Sequence, residues 1–121
     1  MKNVALWFFL TAAVSVTLGM VWGVVMSATH DHTLSAAHGH LNLVGWVTMG
    51  IFGLFYHVVP TAAEGRLAKT HFAVAFAGLI TMIPGIVIAL LYDNPVLAII
   101  GSFLTLASML IFVVTIIRSR Q

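Results

Sequence analysis

Cysteine is absent from this sequence, and charge is scarce: three acids and five Lys or Arg among 121 residues, 7% charged against 61% hydrophobic. Without cysteine there is no disulfide, no thiolate-bound zinc, no iron–sulfur cluster and no covalently attached c-type haem. Any cofactor has to be held by histidine, methionine, carboxylate, amide or backbone. So few charges cannot cover the surface of a soluble domain, and five scattered cations make no groove for nucleic acid. Lipid is the solvent that suits such a chain, and its length allows one compact unit with no separate soluble domain.

What is present is a set of apolar runs of the length that crosses a hydrocarbon layer of about 30 Å as helices. Four fit, at Val4–Met26, Ser35–Val59, Leu67–Leu91 and Pro95–Ile117, which predicts an all-α membrane four-helix bundle spanning residues 1–121 as a single domain. Lys2 before an apolar stretch, with Val25-Met26-Ser27-Ala28 after it, resembles a secretory leader and its cleavage step. The run is longer than a leader core, so it is expected to be a retained span. Pro60 should stop the second helix, Pro95 should open the fourth, and Pro84 should kink the third.

Direction follows from the cations. Lys2, Arg66, Lys69, Arg118 and Arg120 fall at the N-terminus, the second loop and the C-terminus, while the first and third loops carry Asp31 and Asp93. All five agree with both termini on the cytoplasmic side of a bacterial-type inner membrane. The first loop, with His30, Asp31 and His32, then faces outward.

Small and polar residues recur on one side of each span, the pattern of helix contact in lipid. Ser15, Gly19, Gly23 and Ser27 do so on the first, His71, Ala75, Gly78, Met82 and Gly85 on the third, and Gly101, Thr105 and Ser108 on the fourth. On the second, ideal helical geometry lines up His38, Asn42, Gly45, Met49, Gly53 and Tyr56. His40 diverges from His38 by about 200°, and His57 lies about 28 Å along the axis from His38, too far to share a metal within one chain.

Six histidines in so apolar a chain point to function, since imidazole in a membrane is costly without a partner and is a common ligand of metals and of haem iron. His30, His32, His38 and His40 form an outer group, His57 and His71 an inner one. A copper or zinc site on the outer group needs the second helix to start after His40. Ser35 instead reads as the N-cap of a helix starting at Ala36. The inner pair could bind a metal, hydrogen-bond Tyr56 or Glu64, or sit at the membrane interface, and the interface reading is preferred.

The second span reads Ala37-His38-Gly39-His40-Leu41-Asn42-Leu43, then Gly45-Trp46, then Ile51-Phe52-Gly53-Leu54-Phe55-Tyr56, ending Val58-Val59-Pro60. This resembles the second transmembrane helix of subunit I in the haem–copper oxidase and nitric oxide reductase superfamily. There an outer Ala-His-Gly segment gives a low-spin haem its axial histidine. The resemblance implies haem b, with His38 as iron ligand and Asn42, Gly45 and Met49 beside the ring. It also implies electron transfer, or redox or gas sensing, with a respiratory-chain redox partner. Only a fraction of the family's helices is present, without its copper ligands, so reduction of oxygen or nitric oxide by this chain alone is not expected. The sixth ligand is left among His38 of a second copy in a homo-oligomer, His30, His32, Met49 and none at all. Two other expectations stand beside this one: a copper- or zinc-binding membrane protein, and a structural accessory subunit of a respiratory complex.

Overall fold

The computed structural model describes residues 1–120; Gln121, the last residue of the expected cytoplasmic C-terminus, lies outside the described residues. The chain forms four helices, α1 (Asn3–Thr29), α2 (Ser35–Val58), α3 (Arg66–Tyr92) and α4 (Val96–Ser119), with no strand among the described residues. All four are long and apolar enough to span a membrane.

The breaks have local causes. His30 and Asp93 take left-handed backbone, φ 55° and 53°, and so end α1 and α3. Pro60 follows α2, and Pro95 immediately precedes the first residue of α4. Pro84 is accommodated inside α3, where its ring removes the hydrogen bond otherwise made to the Ile80 carbonyl. The expected Ser35 cap is not formed: the helix already includes Ser35, Leu34 precedes it, and no side chain caps that end.

Residues Leu41–Thr48 form a wide π turn within α2, with backbone bonds five residues apart. The Thr48 hydroxyl donates to the carbonyl of Leu43, five residues back, at 2.9 Å. The 18 steps from His38 to Tyr56 make five whole turns of an ideal α-helix, which would aim both side chains the same way. A wider turn sets the inner end back, by about 100° for each surplus residue it absorbs. His38 addresses α1, whereas Tyr56 bonds to α3 while its ring stacks on Phe8 of α1.

Packing pairs α1 with α2 and α3 with α4. Lipid tails are as apolar as leucine, so close backbone approach and hydrogen bonds carry helix association in this setting. At the α3–α4 crossing a Cβ on Gly101 would lie 2.6 Å from the Met82 backbone, so the helices meet there only because the residue is glycine. The two pairs join in the half nearer the chain termini, called inner after the expected direction, around fully buried Phe8, Phe52, Tyr56 and His71, with Phe112 against them.

Candidate functional site: the outer histidines and a buried tyrosine–histidine pair

Glycines make the outer end of α2 dock on α1. The His38 ring lies against Gly19 and Gly23, its Nε2 is 2.9 Å from the Gly19 carbonyl oxygen, and the Trp22 ring meets it edge-on at 6.0 Å. A Cβ on Gly23 would lie 3.2 Å from that Nε2, so the space between the helices is filled by the imidazole itself. A carbonyl only accepts, so Nε2 carries the proton and donates to Gly19. Asn42, one turn on, places its amide 3.3 Å from the same Nε2 and packs on Gly19. The single Nε2 proton goes to Gly19, so Nε2 has no lone pair for the amide N–H, and Asn42 Oδ1 has no partner among the described residues.

His40 is arranged the opposite way. Its Nδ1–H donates to the Ala36 carbonyl, one turn back, at 2.7 Å, and the residue is exposed on the outer surface of the bundle. That bond assigns the proton to Nδ1 and leaves the lone pair on Nε2, the tautomer that ligates a metal. Beside it, nothing comes within 4 Å of the position a Cβ would take on Gly39. Below it Leu43, Trp46 and Val47 continue an exposed apolar face. The sequence spacing separates His38 and His40 as the structure does, one inward and one outward. What it could not supply is which ring nitrogen each histidine leaves free.

Iron needs a free ring nitrogen and room for a porphyrin. His38 lacks the room in this arrangement: its Nε2 is given to a carbonyl of α1, its ring lies against Gly19 and Gly23, and the lone pair is left on Nδ1, beside its own backbone. Gly45 packs on Ser15 and Leu79, and Met49 is buried deeper in the bundle, so neither stands beside His38 as ring neighbour or second ligand. The exposed ring of His40 meets both requirements at the outside of the bundle.

The other expected ligands are dispersed. His30 and His32 are exposed in the first loop, where Asp31 accepts from the Thr33 N–H at 3.0 Å and the Thr33 hydroxyl at 2.6 Å. Those bonds hold the Asp31 carboxyl below the usual carboxylate range. His57 is exposed at the inner end. Among the described residues no three His, Asp or Glu side chains converge on one point. At mid-depth a cavity of about 300 Å³ between α2, α3 and α4 is lined by Met49, Met82 and Met109, with Thr48 and Thr105.

His71 is not interfacial, contrary to the preferred sequence reading. It is 0% exposed, its Nδ1 is 2.8 Å from the Tyr56 hydroxyl, and the rings of Phe52, Phe8 and Phe112 stand 4.5, 5.1 and 5.7 Å away. Its Nε2 has no protein partner. The signal for this pair lay in the spacing: His71 heads the small-residue stripe of α3, and that stripe is the buried face. Tyr56 offers the imidazole a partner inside the bundle, so the ring has no need of the membrane surface.

Comparison of the chain with family models, with curated proteins and with solved structures finds no match.

Proposed function

We propose that this chain is a b-type haem-binding membrane protein in which His40, rather than His38, supplies the axial imidazole, and in which two copies share one haem. The observation that carries the proposal is the 2.7 Å bond from His40 Nδ1 to the Ala36 carbonyl on an exposed ring. It orients the imidazole and leaves Nε2 unspent, as iron ligation requires. The resemblance of the Ala37–Leu43 segment to the haem-bearing helix of the oxidase superfamily supports haem b at this end of α2, while the ligand that the resemblance implies is His38.

One copy presents one such ring, so an isologous pair brings the second ligand from the same position of its twin. Gly39 leaves a flat surface beside the ring, and Leu43, Trp46 and Val47 give the apolar wall that excludes water. The His38 bond to Gly19 and the packing of Asn42 on the same glycine seat this stretch of α2 against α1. The haem, when bound, supplies reversible one-electron chemistry, and the job proposed is electron transfer with a membrane redox partner. With the cations inside, the outer histidines face away from the cytoplasm and both termini face it.

Visible absorption of protein purified from haem-replete cells tests this. A Soret band with a sharp reduced α band, at one haem per two copies, is the expected result. His40→Ala should abolish the bands, whereas His38→Ala should retain them. A colourless preparation sinks the proposal, as does a spectrum that survives His40→Ala and vanishes with His38→Ala.

A further inference from the structure

The inner end of the bundle carries a second binding feature, independent of the histidines. A hollow of about 350 Å³ opens between the α2–α3 loop and the last turn of α4, lined by Arg66 and Arg118 with Thr61, Glu64 and Ser119. Two arginines border the same space, and among the described residues neither has an acidic partner: the one ion pair there joins Lys2 to Glu64 at 3.1 Å. That pair also neutralises the only carboxylate lining the hollow. The Ser119 hydroxyl is spent on the Thr115 carbonyl at 2.7 Å, which leaves Thr61 as the free hydroxyl donor. Like charges gathered without a counter-ion repel one another, and a bound anion relieves that repulsion.

We propose that this hollow binds the phosphate of an anionic phospholipid. Guanidinium groups present paired N–H donors in the geometry that phosphate oxygens accept. The surroundings select a lipid over a soluble anion. The hollow sits at the end of membrane-length helices, and on α4 the residues leading away from it, Val114, Ile116 and Ile117, are exposed and apolar. A ligand with a charged head and hydrocarbon tails matches both parts. Basic pockets between spans at the cytoplasmic surface recognise anionic headgroups in this way.

The test uses the full chain, delipidated in non-ionic detergent and titrated with phosphatidylglycerol or phosphatidylcholine, with bound lipid read by native mass spectrometry. A one-to-one phosphatidylglycerol adduct without a phosphatidylcholine counterpart is expected. Arg66→Gln and Arg118→Gln should each weaken it about fivefold, the scale of one basic residue at a membrane surface. Lys69→Gln, outside the hollow, should leave it within twofold. Arg118→Lys should restore part of the loss. Equal retention of the two lipids overturns the proposal, and so does a Lys69→Gln effect as large as that of Arg118→Gln, which would mean diffuse attraction. Inorganic phosphate should fail to displace the lipid at millimolar concentration. Complete displacement would assign the hollow to a soluble anion and overturn the lipid reading. All these variants are at exposed positions, and their helical circular dichroism checks the fold.

Discussion

At the outer end of α2, His38 reaches across to a backbone carbonyl of α1; at the inner end, Tyr56 reaches across to a side chain of α3. The two contacts have similar lengths, 2.9 and 2.8 Å, and different consequences. The outer acceptor is part of the main chain, so its presence depends only on glycine leaving room for the ring. The inner contact needs two particular side chains, and the phenylalanines around it leave no path for water. A half-exposed imidazole that loses its carbonyl can turn to water or headgroups, whereas a sealed one cannot. Polar contacts in a membrane bundle thus differ in cost by how well solvent can replace them.

The largest expected effect is at the inner end. His71→Ala empties the centre of the aromatic cluster and strands the Tyr56 hydroxyl, and should cost about 3–5 kcal/mol. Unfolding by sodium dodecyl sulfate, followed by circular dichroism, measures it. Tyr56→Phe removes only the partner oxygen and should cost about 1–3 kcal/mol. The double variant Tyr56→Phe/His71→Phe should be close to the wild type, because replacing both members leaves nothing unpaired. At the outer end His38→Ala should cost about 1 kcal/mol. If it costs as much as His71→Ala, the two ends are alike and the comparison fails. Smallest is the effect of pH on the first loop. The Asp31 carboxyl is lowered by its bonds to Thr33, so its contribution is present above the ordinary carboxylate range and is lost as pH falls through the depressed value. Exchange of the Thr33 amide should therefore speed up in strong acid relative to the trend of neighbouring exposed amides. No departure from that trend would mean the turn does not depend on the carboxylate.

The four spans, their order and their boundaries to within three residues were legible in hydropathy and proline placement, because lipid imposes element length. The small-residue stripes were legible too: Gly19, Gly45, Gly78, Gly85 and Gly101 all lie buried against a neighbouring helix. The wide turn was not. Leu41–Thr48 holds Asn42, Gly45 and Thr48 among apolar residues, a mixture that an ordinary helix contact in lipid also carries, so nothing there marks a change of pitch. The site was legible in part. The histidine-bearing end of α2 was found, and so was the divergence of His38 from His40. The state of the His38 ring depends on which carbonyl lies within reach across a helix interface, and a one-dimensional pattern does not carry that.

The wide turn also bears on how this helix can change length. The surplus held between Leu41 and Thr48 is absorbed locally, with ordinary helix before and after it. A chain shortened there by one residue, at exposed Val47 for example, can close the turn to ordinary helix while His38 stays on α1 and Tyr56 stays on α3. The same deletion in α4, which has no such reserve, rotates every later residue by about 100° and takes Phe112 out of the aromatic cluster. Shortening by one residue is therefore admissible at one place in α2, a slack segment where a codon can be lost without the two ends of the helix losing their partners.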